Sequence, residues 1–204
     1  TLPAVDAVVE VLGGIEPARS WVEQALQAGK HVVTANKALV AAHGPELAAL
    51  AREKGVAFLF SAACGGGVPF LHNLALATRS DEILSVGGIL NGTTNYMLDA
   101  MQSRGADYDA VLKDAQALGY AEADPTADID GLDVQRKCAI SASLAFGAVL
   151  RDTDVPTFGI RRITKADVAR FDAMGYVCKL MAFAEAKDGR VSACVEPYLM
   201  PKSA

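Results

Sequence analysis

The stretch His31-Val-Val-Thr-Ala-Asn-Lys37 decides the fold. His31–Thr34 is a short apolar strand, and Thr34-Ala-Asn-Lys37 turns polar at its carboxyl end. Upstream lies a helix from Pro17 to about Ala28, with Trp21, Ala25 and Leu26 on one face and Gly29 as its stop. Proline suits a first helical turn, where a missing N–H is harmless. Before that helix, Ala7–Leu12 reads as a strand ended by Gly13-Gly14. Downstream, the spacing of Leu47, Leu50 and Ala51 predicts a helix over Pro45–Lys54, ended by Gly55, and Val56–Phe60 predicts a third strand. Near-continuous apolar strands alternating with helices mean parallel pairing with right-handed crossovers.

From residue 61 the pattern changes. Ala62–Pro69 is a glycine-rich turn, with a helix beyond it through Ala77. Glu82–Leu90 reads as a strand, Asn91-Gly-Thr-Thr94 as a turn and helix start, and Asn95–Met101 continues that helix. A helix over Asp107–Leu118 turns Val111, Leu112, Ala115 and Leu118 inward, and Gly119–Gly131 is an acidic loop. Leu132–Phe146 is a strongly apolar helix. Thr164 and Asp167 have capping-box spacing for a helix to about Met174. Tyr176–Ala184 and Arg190–Val195 are strands joined by an Asp188-Gly189 hairpin turn. Arg151–Thr157 is the most linker-like segment. The expected architecture is α/β: residues 1–60 form a parallel sheet, and residues 61–204 an α+β domain with a mixed or antiparallel sheet.

The 204 residues hold 51% apolar and 21% charged side chains, enough for a real core. The net charge of −5 advertises no basic face for nucleic acid. The longest apolar stretch, Cys138–Leu150, is too short for a membrane span. No basic stretch precedes an apolar one at the start, so no signal peptide is expected. The four cysteines lack C-x-x-C spacing and read as reduced thiols of a cytoplasmic protein. The three histidines form no metal signature.

Four segments could carry chemistry. In Gly119–Lys137 five carboxylates, Glu122, Asp124, Asp128, Asp130 and Asp133, precede Lys137. Asp133 and Lys137 are four apart on one helix face, which also carries Ile140, Ser141 and Leu144. Those neighbours place the lysine at the edge of a buried site, where desolvation favours proton transfer and the aspartate opposes it. A solvated ion pair is the plainer alternative. An EF-hand fails on spacing and on Pro125. At Thr34–Lys37 a hydroxyl, an amide and an ammonium sit where open α/β sheets bind ligands, unless the segment is only a polar loop. Asn91–Asn95 starts a helix, with N–H groups suited to an anion, or is merely a cap. In Cys64-Gly-Gly-Gly-Val-Pro69 the glycines let backbone approach a ligand or a hard cation. Cys64 has no identifiable base to activate it as a nucleophile.

Together these segments resemble the homoserine dehydrogenase family. The matching strings are Val9–Gly14, Ala28–Leu39, Gly88–Tyr96, Gly119–Asp128, Gly131–Asp133 and Arg136-Lys137, in the family's order. The resemblance implies reduction of L-aspartate 4-semialdehyde to L-homoserine with NADP or NAD, in threonine, isoleucine and methionine biosynthesis. It implies Lys137 as proton donor, Lys37 as the lysine where cofactor and substrate meet, and Glu122, Asp133 and Asp128 as homoserine ligands, with Asn91 and Thr93 beside them. Thr34, Asn36, Lys37, Gly119 and Gly13 are implied on the cofactor side. The chemistry is coherent, because an amino-acid ammonium wants carboxylates and a nascent alkoxide wants a cation and a proton. A sodium ion is implied at the backbone carbonyls of Cys64, Gly66 and Val68, although the family's acidic residue there is Ser61 here. A homodimer through the sheet near Tyr176–Ala184 and Arg190–Val195 is also implied.

No G-x-G-x-x-G turn precedes Leu12, so the first 60 residues read as the second, C-terminal half of a Rossmann-type nucleotide-binding domain. The family's closing C-terminal segment is not in the sequence either. The expectation is that this chain alone binds NADP(H) poorly and is inactive. The competing reading is a non-catalytic substrate-binding and dimerisation module.

Overall fold

The computed structural model describes residues 4–203. They fall into two compact units. The first comprises the chain up to Leu84 with Ala139–Asp154 and Ala186–Val191; the second comprises Ser85–Cys138, Val155–Glu185 and the chain from Ser192.

The first unit contains the expected parallel sheet. Strands β1 (Ala7–Glu10), β2 (His31–Thr34) and β3 (Phe58–Leu59) lie in the order β1-β2-β3, with Ala7 opposite His31 and Val32 opposite Phe58. Helices α1 (Ala18–Gln27) and α2 (Lys37–Glu53) are the crossovers. Ala18, Val22, Leu26, Val32, Leu39 and Leu47 form their shared core, against which Val8 and Phe58 pack. The sheet's other face shows Val9, Val33 and Leu59, one residue per strand and in register. A second cluster of Val40, Ala63, Leu71 and Ile140 joins α2 to α3 (Phe70–Ala77) and to the later part of α7 (Leu132–Phe146).

The second unit carries an antiparallel pairing of β4 (Ser85–Gly88) with β5 (Tyr176–Lys187), and β6 (Arg190–Pro201) completes the order β4-β5-β6. The hairpin turn has positive φ at Asp188 (51°) and Gly189 (71°), which matches the twist of its strands. Cys178, Leu180, Ala182 and Ala184 alternate inward along β5. Thr157 makes an isolated parallel bridge with Val195 of β6. Helices α4 (Gly92–Arg104), α5 (Tyr108–Ala117), α6 (Thr126–Ile129) and α8 (Lys165–Ala173), with the start of α7, complete this unit.

Several expectations need correction. Helix α2 starts at Lys37 rather than Pro45, because Asn36 caps it by accepting from Leu39 N–H at 3.1 Å. Pro45 sits inside the helix and withholds one N–H from its ladder. Trp21 is 52% exposed, and Val22 takes the inward place. Leu118 is exposed because α5 has ended before it. Helix α4 begins at Gly92 behind an Asn91 cap, within the expected helix start, and runs past Met101 to Arg104. The acidic loop contains one short helix, α6. Strands β1, β3 and β4 are shorter than their apolar runs, and β6 runs on to Pro201. The α7 bounds and the Thr164–Asp167 capping box are as expected.

Candidate functional site

In the first unit, the carboxyl ends of β1 and β2 hold a buried polar network. Glu10, only 5% exposed, ends β1. Its Oε2 accepts from the Thr34 hydroxyl at 2.6 Å, and its Oε1 accepts from Leu12 N–H at 2.8 Å and Asn36 Nδ2 at 3.4 Å. Thr34 Oγ1 in turn accepts from Asn36 N–H at 2.9 Å. Asn36 Nδ2 also donates to the Gly14 carbonyl at 2.6 Å. Gly13 and Gly14, at φ +78° and +75°, make the turn that brings that carbonyl within reach. Lys37 is the half-buried first residue of α2. The predicted residues Gly13, Thr34, Asn36 and Lys37 therefore lie around one strand-end turn, where open α/β sheets receive a dinucleotide. With the Thr34 hydroxyl and the Asn36 amide buried in the network, they offer such a group the Lys37 ammonium and turn backbone, but no complete glycine-rich phosphate loop.

In the second unit, Asn91 is the organising residue. Its Oδ1 caps α4 by accepting from Thr94 N–H at 2.8 Å. Its Nδ2 donates to Asp128 Oδ1 at 2.7 Å and to Asp133 Oδ2 at 3.0 Å. Two carboxylates from α6 and α7 are thereby tied to the start of α4. Lys137 Nζ lies 2.8 Å from Asp133 Oδ2 and donates to the Leu90 carbonyl at 2.6 Å. The lysine side chain is 18% exposed, so the pair is not a solvated surface bridge. Asn91 thus holds both carboxylates beside the start of α4. Thr93 is buried, and its hydroxyl donates to the Tyr120 carbonyl at 2.5 Å, tying α4 to the acidic loop.

Other candidates lie outside these two clusters. Glu122 is exposed, and the bond that holds it runs from Gln116 Nε2 to its backbone carbonyl at 3.1 Å. Gly119 ends α5 at φ +77°; its N–H bonds Gln116 O, and Tyr120 N–H bonds Ala115 O. Asp124 makes a turn with Thr126, whose side chain and N–H hydrogen-bond its carboxyl and hold it below the usual range. Asp130 faces Arg161 in a two-pronged pair at 2.7 and 2.9 Å, and this hydrogen bonding lowers its pKa. That pair edges a cavity of about 350 Å³ lined by Thr157, Phe158 and Gly159. A second cavity, about 420 Å³, lies within the first unit beside Val40, Gly44, Phe60 and Leu144.

The glycine turn gives a cation little. Ser61, Cys64, Gly66 and Val68 supply no charged ligand, Val68 is exposed, and its carbonyl already accepts from Phe70 N–H at 2.8 Å. Among the described residues no group of three or more His, Cys, Asp or Glu could hold a metal ion. No disulfide joins the cysteines, and burial pushes the Cys138 and Cys178 thiols up to about 11, which keeps them inert. Sequence reasoning missed Glu10. Its signal was an acid inside an otherwise apolar parallel strand, which must find partners. It also missed Arg161, which no local pattern joins to Asp130.

A parallel α/β unit with a polar strand-end turn, and an α+β unit with bridged aspartates and a lysine, define a class of two-part α/β proteins whose sheet is of the kind that receives dinucleotides. The comparisons narrow that class. The family described as "Homoserine dehydrogenase, NAD binding domain" matches residues 1–61, and the one described as "Homoserine dehydrogenase" matches residues 69–204. The chain belongs to the homoserine dehydrogenase family. It is 49% identical over 201 residues to the homoserine dehydrogenase of Synechocystis and 50% identical over 204 residues to that of Corynebacterium glutamicum, covering 98% of this chain and 46% of each relative. It thus spans about half the length of the curated relatives it matches. The crystal structure of the Thiobacillus denitrificans homoserine dehydrogenase superposes with a TM-score of 0.94 at 45% identity, over 98% of this chain and 46% of that one. A hyperthermophilic archaeal homoserine dehydrogenase in complex with NADPH gives 0.82 at 26% identity, over 98% and 57%. No helix among the described residues is long and apolar enough to cross a membrane.

Proposed function

We propose that the protein carrying this chain interconverts L-homoserine and L-aspartate 4-semialdehyde with NADP(H) or NAD(H), in the biosynthesis of threonine, isoleucine and methionine. The observation that carries this reading is the Lys137 ammonium, held between the Leu90 carbonyl and Asp133, whose carboxylate Asn91 ties to that of Asp128. Two adjacent carboxylates present negative charge to the substrate's ammonium, and exposed Glu122 adds a third on the acidic loop. Lys137 supplies the proton that a nascent alkoxide takes up, and its positive charge stabilises that alkoxide as it forms. In the reverse direction it accepts the hydroxyl proton. Asn91 and Thr93 position the acidic segments against α4.

When bound, the nicotinamide supplies the hydride. Lys37 and the Gly13 turn would hold the dinucleotide at the strand ends, on the backbone that Thr34 and Asn36 fix; the family resemblance also assigns Gly119 to the cofactor. No step runs through a cation at Cys64–Val68, where the donor set is neutral. The proposed division is a dinucleotide-binding part over residues 1–60 and a substrate and dimerisation part over 61–204, which the spans of the two family matches support. We place the protein in the cytoplasm, on its four cysteines with no disulfide. It acts as a homodimer through the long β5–β6 hairpin, whose strands run twelve residues each.

The test is turnover by the full-length protein of homoserine with NADP or NAD, followed at the reduced nicotinamide, together with Asp133→Asn. The reading expects turnover in the wild type and a raised homoserine KM in the variant, whose amide keeps the shape but removes the charge. Wild-type protein that reduces no dinucleotide with homoserine overturns it.

A further inference from the structure

We infer that Glu10 is a positioning residue for the dinucleotide, acting through Thr34, Asn36 and the glycine turn rather than by touching the ligand. The inference rests on the function proposed above and deepens it. A carboxylate at the end of a parallel strand is an unwelcome charge where an anionic pyrophosphate is expected. Here it is turned inward, 5% exposed, and meets donors: the Leu12 N–H, the Thr34 hydroxyl and the Asn36 amide. These come from three places in the chain. Leu12 follows β1, Thr34 ends β2, and Asn36 caps α2. One acceptor-only group therefore fastens both strand ends to the helix start.

The consequences reach the ligand-facing backbone. Glu10 fixes Thr34 Oγ1 as an acceptor for Asn36 N–H, because the hydroxyl proton is spent on the carboxylate. Asn36, held there, uses its second N–H on the Gly14 carbonyl and so sets the Gly13-Gly14 turn. The same residue precedes Lys37, whose position at the first turn of α2 follows from the cap. A glutamine in place of Glu10 is isosteric but presents an N–H₂ to one of the donors, so at least one of these bonds is lost. A hydrogen bond to a charged group is strong enough that its loss moves a coupled equilibrium about tenfold.

The experiment compares wild type, Glu10→Gln, Thr34→Val and the double variant in the full-length protein. Three readouts are taken: equilibrium binding of NADPH, the split between dinucleotide KM and kcat, and amide hydrogen exchange over residues 12–14 and 35–37 without ligand. The expected result for Glu10→Gln is NADPH binding weakened about tenfold, with kcat at saturating dinucleotide and homoserine KM within about twofold of wild type. Exchange quickens in those two segments and not along α1. Thr34→Val also weakens NADPH binding and quickens exchange in the same two segments, and the double variant is no weaker than the worse single one, because both cut one chain of bonds. If Glu10→Gln does not fold, Glu10→Asp, which keeps the charge but shortens the reach to its donors, carries the test with the same readouts. Variants that bind NADPH like a binding-competent wild type overturn the Glu10 assignment and leave the proposed function standing. Loss shared equally by kcat and homoserine KM overturns it as well. Wild-type protein that binds no dinucleotide overturns both.

Discussion

The strand-end network and the carboxylate–lysine cluster use one device to different ends. In each, an asparagine caps a helix with its side-chain oxygen and bridges to carboxylates with its amide nitrogen: Asn36 to Glu10 and the Gly14 carbonyl, Asn91 to Asp128 and Asp133. Around Asn36 a single buried carboxylate is met by the Leu12 N–H, the Thr34 hydroxyl and the Asn36 amide. Around Asn91 two carboxylates are drawn together and a lysine is laid against one of them. The first arrangement fixes a backbone; the second concentrates ionised groups. The lesson is that a local capping signal says where a helix begins, while the groups bridged by the spare N–H decide whether the place is scaffold or site.

The anchoring also differs. The strand-end turn rides on a parallel sheet, whereas the junction of α6 and α7 is held by a backbone crossing. A Cβ on Gly159 would overlap the Ile129 carbonyl oxygen and the Asp130 backbone, and one on Gly131 would stand 2.9 Å from Thr157 Cγ2. The Ile160 N–H bonds Ile129 O at 2.8 Å across the same crossing. Gly159→Ala is therefore expected to have the largest effect on stability, a loss of about 3 kcal/mol or more by denaturant titration. A near-zero change would remove the crossing as an anchor.

Next comes Asn91→Asp, which retains a capping oxygen but places a third carboxylate against the other two. The expected outcome is a fall on the order of a hundredfold in kcat/KM for homoserine. Its counterpart, Asn36→Ser, keeps the cap and removes the bridge; dinucleotide binding is expected to weaken about tenfold while thermal stability changes little. Equal behaviour of the two asparagine variants on both substrates would erase the contrast between scaffold and site.

The smallest effect belongs to Asp130. Its carboxyl is held below the ordinary range by hydrogen bonding to Arg161. A depressed folded-state pKa contributes stability that is present above the unfolded value, near about 4, and is lost as pH falls through the folded one. Asp130→Asn should therefore lower the melting temperature slightly at pH 7, and the gap to wild type should close at acid pH. A gap that is constant with pH would detach the effect from ionisation.

What the sequence made legible follows from how local each signal is. The bounds of α7, the Thr164–Asp167 box and the Asp188-Gly189 hairpin depend on neighbours within a few residues, and all are present. The start of α2 was misplaced because Pro45 is a strong local mark for a first turn, while the capping role of Asn36 became visible only with the helix in place. Asp133 and Lys137 were legible as a pair through their four-residue spacing. The bridge from Asn91 spans 42 residues to Asp133, and the bond from Thr34 to Glu10 spans 24, so neither could be read along the chain. Glu122 carries the same acidic signal as Asp133 but lies exposed in the loop, outside the hydrogen-bonded cluster.

The most direct measurement is the turnover of full-length Lys137→Ala at saturating dinucleotide, with homoserine binding measured separately. The account expects kcat to fall on the order of a thousandfold while homoserine affinity stays within about threefold, since general acid–base groups act mainly in the transition state. A variant that turns over like the wild type would contradict it.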